Sequence, residues 1–241
     1  MGGKDNFAAD RNLVMQMQEI FPLGSRLAKE NRQFLTRAID YVSRQGVSQF
    51  IDVGSGLPAS PNTHEAARLV DPAACVVYVD NDPVVISHAA ALLSGRGKTG
   101  AVPGDVRSAD EILASPALTE IIDLDEPVCV IMAMLLDYVE PAQAAAAMAT
   151  FRRAMRPGSY LVISIGINNN APDLAERVIE MMNPAGTLHL HSREQVASYF
   201  TGFELVEPGL IEGRRWRSPH SLPEDDERPA DILVGVGRLV G

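Results

Sequence analysis

The chain has 241 residues, of which 46% are hydrophobic and 22% charged, a composition typical of a soluble globular protein. The formal net charge of -10 excludes a broad basic surface, so we expect no nucleic-acid partner. Neither a run of about 18 apolar residues nor an apolar signal segment at the N-terminus is present, which predicts a cytoplasmic protein without a membrane partner.

The first predicted element is a helix from Leu23 to Arg44, where apolar residues recur at helical spacing and Gly46 gives a stop signal. The apolar strand SQFIDV follows, and Asn62 with Glu65 forms a capping-box pattern that predicts the start of the next helix. The remaining elements are predicted, in order, as ACVVYVD (strand), DPVVISHAAALL (helix), TGAVPGDV (strand), SADEILAS (helix), PVCVIMAMLL (strand), PAQAAAAMATFRRAM (helix), SYLVISIG (strand), APDLAERVIEMM and SREQVASYF (helices), and FELVEPGLI and DILVGVGRLV (strands).

Alternation of strands and helices predicts an α/β fold with a mostly parallel sheet. Because no helix separates the final two strands, we expect them to pair antiparallel at the edge of the sheet. One domain over residues 1–241 is the simplest organisation, with residues 1–45 as an N-terminal helical extension and 46–241 as the α/β core.

Cysteine and the isolated polar clusters give weaker signals. Cys75 and Cys129 lie in apolar runs, so we expect buried free thiols, with a disulfide as the alternative. We expect no metal site, because the sequence has no CxxC and no Cys/His cluster. The basic run Arg214–Arg217 is interpreted as a loop whose arginines lie over apolar surface, and His189 and His191 as structural.

The segment DVGSGLPAS leaves the first strand and matches the glycine pattern of a dinucleotide loop only weakly; a tight turn is the alternative. Asp52 would repel a pyrophosphate by about 1–4 kcal/mol. Pro58 and Pro61 lack the N–H groups that a phosphate site needs. Asp52 instead suits an ammonium group, as in S-adenosylmethionine, and Gly54 and Gly56 would admit its amino-acid part.

Two further acids follow the next two strands. Asp80 can accept the hydroxyls of a ribose, in either an NAD or an S-adenosylmethionine site, or be an exposed turn residue. Asp105 can accept the adenine amino group, with the Val106 N–H at a ring nitrogen, or serve as an N-cap. With Asp52, these acids are predicted to line one edge of the sheet.

Several segments together resemble class I S-adenosylmethionine-dependent methyltransferases, and more narrowly an actinobacterial S-adenosyl methyltransferase family formerly described as a domain of unknown function. The segments that carry this resemblance, over nearly the whole chain, are GGKDNFAADR, NRQFLTRAIDYV, QFIDVGSGLP, NTHE, VVYVDNDPVV, PGSYLVIS and FELVEPGL with RRWR. The resemblance implies a Rossmann-like, seven-stranded sheet with an antiparallel last strand. It also implies cofactor contacts, which map onto Asp52, Gly54, Ser55, Gly56, Asp80, Asn81, Asp105 and Val106.

Other cofactor contacts are expected from position. Leu57 belongs to the loop, while Met134 and Leu135 follow the fourth strand and lie either near the adenosine and methyl or in the core. His64 contacts the methionine carboxylate, acts as a base, or is a helix-surface histidine. The product of the cofactor would be S-adenosylhomocysteine.

Catalytic residues are weakly marked, because methyl transfer depends on positioning more than on a base. Asp137 and Tyr138, in LDYV where relatives often have LHFV, are the candidates together with His64; exposed loop residues are the alternative. GGKDNF is predicted to be a lid, and Gly166–Pro172 to contact the acceptor or form a solvated turn.

The sequence therefore predicts a methyltransferase acting on a small-molecule acceptor. The alternatives are a non-catalytic S-adenosylmethionine-binding or regulatory protein and, less favoured, an NAD-dependent oxidoreductase.

Overall fold

The fold is described from a computed structural model, which covers residues 24–93, 98–167, 188–220 and 231–241. The strands within these ranges are β1 (Gln49–Val53), β2 (Cys75–Asp80), β3 (Thr99–Pro103), β4 (Cys129–Ala133), β5 (Tyr160–Ile167), β6 (Phe203–Leu205), β7 (Ile211–Glu212) and β8 (Asp231–Leu239). The α-helices are α1 (Gly24–Arg44), α2 (Thr63–Arg68), α3 (Pro83–Leu93), α4 (Ala109–Leu113), α5 (Pro116–Thr119), α6 (Pro141–Ala154) and α7 (Arg193–Tyr199).

All eight strands join one sheet, in the order β3-β2-β1-β4-β5-β8-β6, with β7 paired to β8. The first five are parallel, and β8 runs antiparallel to β5, β6 and β7. The mostly parallel sheet with an antiparallel last strand is confirmed. The predicted strand FELVEPGLI is divided into β6 and β7, because Gly209 takes a positive φ of 88° in the turn between them.

The central strand β1 is buried at all five residues, because helices cover both faces of a parallel sheet. Alternation along the strand sends Ile51 and Val53 into one apolar core and Phe50 into the other, which also contains α1. Asp52 shares the face of Phe50. The strand therefore directs one carboxylate toward the side of the sheet that α1 covers.

The middle of helix α1 is held in place by hydrogen bonds and aromatic packing against the segment that follows β7. The Arg37 guanidinium donates to the carbonyl oxygens of Trp216 at 2.8 Å and Gly213 at 2.7 Å. The Trp216 ring is fully buried and packs edge-on against Phe34 and Tyr41. The predicted loop at RRWR is present, and its Arg217 guanidinium lies 4.2 Å from the centre of the Tyr41 ring. The loop interpretation concerned the arginines and did not identify Trp216 as a core residue.

Other expectations concern single elements. Cys75 and Cys129 are buried free thiols, as predicted. The predicted helix APDLAERVIEMM and the segment 1–23 lie outside the described residues. In the ranges that the structure covers, no helix combines the length and apolarity needed to cross a bilayer.

Replacing Trp216 tests the attachment of α1. We expect Trp216→Ala to lower the free energy of unfolding by about 3–5 kcal/mol, because it leaves a large cavity between α1 and the sheet. Trp216→Phe should lose less, since it retains an aromatic ring and removes an indole N–H that has no partner among the described residues. Urea denaturation measures both variants. Leu69→Ala, at an 83% exposed position, is the control and should change stability by less than about 0.5 kcal/mol. An equally small effect of Trp216→Ala would contradict this assignment.

Candidate functional site

Three predicted acids lie at the carboxyl ends of three adjacent strands. Asp52 is next to last in β1, Asp80 ends β2, and Asp105 follows β3 by two residues. Because β3, β2 and β1 are neighbours and parallel, these ends meet at one edge, as the sequence predicted. Ligands of open α/β sheets bind at this edge.

Asp52 is buried, with 9% of the residue exposed, the same fraction as Asp80. The Thr63 hydroxyl, at the first residue of α2, donates to it at 2.5 Å. Burial raises the pKa of Asp52 to about 6, while the hydrogen bond from Thr63 and the charge of Arg32 act in the opposite direction. A buried carboxylate of this kind is a strong partner for a ligand cation.

The N–H groups of the glycine turn are directed at β2. Gly54 N and Ser55 N donate to the Val79 carbonyl at 2.7 and 3.2 Å, and Gly56 N donates to Asp80 Oδ2 at 2.8 Å. These three donors are therefore not available to a diphosphate. The predicted objection to a pyrophosphate thus has a third cause, in addition to the charge of Asp52 and the two prolines of the loop.

Glycine is required at position 54 for two reasons. Its φ is +68°, and a Cβ there would lie 2.5 Å from a methyl carbon of Leu135. Leu135 thus packs on the turn itself. Gly56 also has a positive φ, of 62°, but a Cβ there would meet nothing within 4 Å, so this side of the turn faces open space.

Asp80 and Asp105 both take structural roles, and Asp80 keeps room for a ligand. Asp80 accepts Gly56 N and, through Oδ1 at 3.0 Å, the Asp82 N–H, so each oxygen has one remaining acceptor site for a ribose. Asp105 is the N-cap of the short turn at Val106–Ser108, and its hydrogen bonds from Arg107 lower the pKa of Asp105 to about 2. The alternative prediction, that Asp105 is an N-cap, is therefore confirmed. A hydrogen bond from Asn81 also contributes to lowering the pKa of Asp105.

A cavity of about 400 Å³, including its open mouth, lies beside the glycine turn. The cavity is lined by Arg32, Asp52, Ser55, Gly56, Leu57, Pro58, Ala59, Asn62, Thr63, His64, Tyr78 and Ala89. The predicted residues Asp52, Ser55, Gly56, Leu57 and His64 are thus brought together. The other predicted cofactor residues are not part of its lining.

His64 is buried, with 4% exposed, so the helix-surface alternative is wrong. Its Nδ1 lies 2.8 Å from the Tyr78 hydroxyl, and its backbone N–H donates to the same oxygen at 3.0 Å. Tyr78 projects from β2 on the face that α1 and α2 cover, which explains how a strand residue reaches a helix start. His64 is therefore a fixed part of the cavity wall.

The end of β4 forms a second, sharper turn. Met134 has a φ of 53°, in the left-handed region, and its N–H donates to Ser164 O at 2.8 Å and Ser164 Oγ at 3.1 Å. The Ser164 hydroxyl in turn donates to Asn31 Oδ1 at 2.6 Å. A chain of hydrogen bonds thus links α1, β5 and the β4 turn. Met134 is half-buried, so the alternative prediction that it is a core residue holds only in part.

Asp137 and Tyr138 differ in environment. Asp137 is 7% exposed, and its two carboxyl oxygens accept the Gly166 N–H at 3.0 and 3.1 Å. Burial raises the pKa of Asp137 to about 7, while the Gly166 hydrogen bond opposes this rise. Tyr138 is 47% exposed, as the alternative of an exposed loop residue expected, and burial of its ring raises the pKa of its hydroxyl. The same alternative is wrong for Asp137.

Arg32 and Asn31, on α1, are the site residues that sequence reasoning missed. The signal was present: Asn31 stands four residues after Leu27 and four before Leu35, inside the apolar stripe of the helix. A polar residue on such a stripe indicates a polar partner across the interface.

Two interpretations are not decided by the described residues. The predicted lid at GGKDNF and most of Gly166–Pro172 lie outside them.

His191 is buried and bonded to the Tyr199 hydroxyl at 2.6 Å and the Val139 carbonyl at 3.0 Å, in agreement with its structural interpretation. Across the residues described, no group of His, Cys, Asp or Glu could hold a metal ion.

The raised pKa of Asp52 predicts a pH-dependent cost of folding. A raised folded-state pKa favours the protonated carboxyl, so the cost is absent below about pH 4 and complete above about pH 6. We expect Asp52→Asn to stabilise the ligand-free protein at pH 8 by about 3 kcal/mol at most, and to have little effect near pH 4. Urea denaturation at pH 4.5, 6 and 8 measures this, with the exposed Glu204→Gln as control. A stability difference that does not vary with pH would reject the assignment.

Comparison with known proteins agrees with this geometry. The S-adenosyl methyltransferase family matches residues 1–240. A candidate methyltransferase from Thermobifida fusca YX is 35% identical, with a TM-score of 0.94 over 100% of this chain and 91% of the other. A DUF574 family protein from Streptomyces avermitilis MA-4680 is 31% identical, with a TM-score of 0.91 over 99% of this chain and 93% of the other.

More distant structures share only the fold. The N-methyltransferase NodS from Bradyrhizobium japonicum WM9, in complex with S-adenosylhomocysteine, is 14% identical, with a TM-score of 0.51 over 88% of this chain and 86% of that one. No curated protein matches the chain. The cofactor is S-adenosylmethionine and the reaction is methyl transfer: the chain belongs to the S-adenosyl methyltransferase family.

Proposed function

We propose that this chain binds S-adenosylmethionine in the cavity beside its glycine turn and transfers the methyl group to a small organic acceptor. The acceptor approaches at the ends of β4 and β5, where Met134, Asp137 and Gly166 lie together. The observation that carries the proposal is the buried Asp52 carboxylate beside a turn whose N–H groups are bonded to β2.

The residues present fit the ammonium and the ribose of the cofactor. Asp52 supplies the negative charge that an ammonium requires, and the Asp80 oxygens keep acceptor sites for ribose hydroxyls. The Ser55 hydroxyl is buried and has no hydrogen-bond partner in the described ranges, although its residue lines the cavity. A ligand atom that forms a hydrogen bond with the Ser55 hydroxyl removes the free-energy cost of leaving this hydroxyl unpaired.

The chain contributes mainly positioning to the chemistry. S-adenosylmethionine supplies an electrophilic methyl group on a sulfonium. At the end of β4, outside the lining of the cavity, Leu135 packs on Gly54 and the strained Met134 turn is held by two hydrogen bonds to Ser164, so the side from which the acceptor is proposed to approach is rigid. Rigid placement of acceptor and donor can supply a large part of the barrier reduction.

Asp137 is the proposed general base for an acceptor that carries a proton on oxygen or nitrogen. Its carboxyl accepts the Gly166 N–H, and it adjoins Met134, whose Cε lies 3.7 Å from where a Gly166 Cβ would stand. A pKa of about 7 is close to that of an efficient base at neutral pH.

Ligand binding tests the cofactor half of the proposal. S-adenosylhomocysteine at about 100 times its dissociation constant should stabilise the wild-type protein by about 2.7 kcal/mol, measured by thermal and urea denaturation. NAD at the same concentration should not stabilise it, because Gly54, Ser55 and Gly56 offer no free N–H. Stabilisation by NAD alone would refute the proposal.

Substitution of Asp137 tests the acceptor half. With a panel of phenols, catechols and primary amines, wild-type turnover to S-adenosylhomocysteine should rise with pH along a limb whose midpoint is about pH 7, as Asp137 loses its proton. Asp137→Asn should lower the turnover number about 10²–10⁴-fold and remove this pH limb. Tyr138→Phe is the neighbouring control and should retain the limb. Unchanged turnover by Asp137→Asn excludes the base, and no turnover with any compound in the panel excludes this acceptor class.

A further inference from the structure

Asp137 lies in a short helical turn, Leu136–Tyr138, that two other segments of the chain hold in place. The Gly166 N–H, in β5, donates to both carboxyl oxygens of Asp137, at 3.0 and 3.1 Å. The His189 N–H donates to the Asp137 carbonyl oxygen at 2.7 Å. The side chain and the main chain of Asp137 are therefore bonded by different parts of the molecule.

A buried histidine makes a further contact with the end of this turn. The His191 ring is 4% exposed, and it lies with Nδ1 2.6 Å from the Tyr199 hydroxyl and Nε2 3.0 Å from the Val139 carbonyl oxygen. Because a carbonyl oxygen only accepts hydrogen bonds, Nε2 carries the proton and donates to Val139. In the neutral ring Nδ1 is then an acceptor, and the Tyr199 hydroxyl donates to it. The two partners therefore fix the orientation of the ring and its tautomer.

The surroundings of His191 favour the neutral ring. Burial is the largest influence and lowers the pKa of His191, and the charge of His189 acts in the same direction. Hydrogen bonds to the backbone of Val139 and Leu136 oppose this shift. These two residues stand directly after and directly before the pair Asp137 and Tyr138, so the ring interacts with the backbone at both ends of the turn.

We infer that His191 is a positioning residue for methyl transfer, which holds the Leu136–Tyr138 turn so that the Asp137 carboxyl stays at the acceptor end of the site and shielded from water. This inference rests on the proposed role of Asp137 as the general base and adds the residue that keeps this base in place. His191 is not part of the lining of the described cavity, so it acts through Asp137.

Helix α7 supplies the fixed support for the ring. Tyr199 is its last residue and is 3% exposed, and Val196, one turn earlier, is fully buried. The helix begins directly after His191 with a capping box, in which Gln195 N donates to Ser192 Oγ at 3.2 Å and Ser192 N to Gln195 Oε1 at 2.7 Å. A base with such supports needs little rearrangement when an acceptor arrives.

Carboxyl NMR measures the placement of Asp137 without a ligand or an acceptor. In protein labelled with ¹³C at the aspartate carboxyls, the Asp137 signal is identified by its loss in Asp137→Asn, and its wild-type midpoint should be about pH 7. Burial is the largest cause of that raised pKa. His191→Leu should therefore lower the midpoint by at least about one pH unit, toward the ordinary value of about 4, as the carboxyl regains contact with water.

Three further variants separate the hydrogen bond from general effects on the fold. His191→Gln retains an N–H that can donate to Val139, so its Asp137 midpoint should stay within about half a pH unit of wild type. His189→Leu is the matched control, because it removes a neighbouring imidazole but keeps the N–H bonded to Asp137. Val196→Ala loosens the packing of α7 without touching the ring. Both controls should lack the shift.

Turnover and affinity give the second readout. With an acceptor identified in the panel, His191→Leu should lower the turnover number about 10–100-fold, because a small misplacement of a reacting group has an effect of this size. Its affinity for S-adenosylhomocysteine, measured by calorimetry, should stay within about twofold of wild type, since the ring lies outside the cavity lining.

The outcomes distinguish this inference from the proposed function. An Asp137 midpoint that stays near 7 in His191→Leu, or an equal shift in Val196→Ala, overturns the positioning role. If circular dichroism shows that His191→Leu is unfolded, Tyr199→Phe takes its place; it should shift the midpoint in the same direction, and no shift overturns the role. If the shift occurs but the wild-type protein methylates no acceptor of the panel, the proposed acceptor class fails and the placement of Asp137 by His191 stands.

Discussion

One carboxylate on the central strand determines how the rest of the site is organised. Asp52 occupies a position in β1 whose neighbours on the same face are apolar, and its burial opposes ionisation. The Thr63 hydroxyl of α2 and the positive charge of Arg32 on α1 both favour the ionised carboxylate and so offset part of the cost of burying it. The same two elements then contribute to the cavity walls, so the site is built around a buried carboxylate.

The backbone of the glycine turn follows from the same constraint. Because Gly54, Ser55 and Gly56 donate their N–H groups to the end of β2, the turn lies flat against the sheet and leaves its open side to the ligand. A phosphate-binding loop directs such groups outward. Loops with similar glycine spacing can therefore bind either an anionic phosphate or a cationic ammonium group. The acid before the first glycine distinguishes the second kind of loop from the first.

Much of the fold could be predicted from sequence, because its signals are local. The near-continuous apolar runs of β1, β2 and β4 and the capping pattern at Asn62 and Glu65 depend on neighbouring residues only, and the structure retains the Glu65 bond to the Asn62 N–H at 2.7 Å. The acids of the site were equally visible, since strand ends are recognisable and parallel strands bring their ends together.

What sequence could not supply were contacts across long separations. Arg32 reaches the cavity and Asn31 reaches Ser164, 133 residues away, only because α1 lies on one particular face. The burial of Trp216 was not predicted for the same reason: it packs against α1, whose Arg37 is 179 residues away in sequence. The burial of Asp137, too, depends on the adjoining end of β5.

The position of Trp216 has a practical consequence for following the molecule in solution. It is the single tryptophan of the chain, and it lies between α1 and the sheet, fully shielded from water. The fluorescence of Trp216 therefore reports on the contact between α1 and the sheet. No label is needed, and no other tryptophan contributes to the signal. Separation of α1 from the sheet would be seen as a red shift in emission, so the protein carries its own optical probe of the helix that holds Arg32.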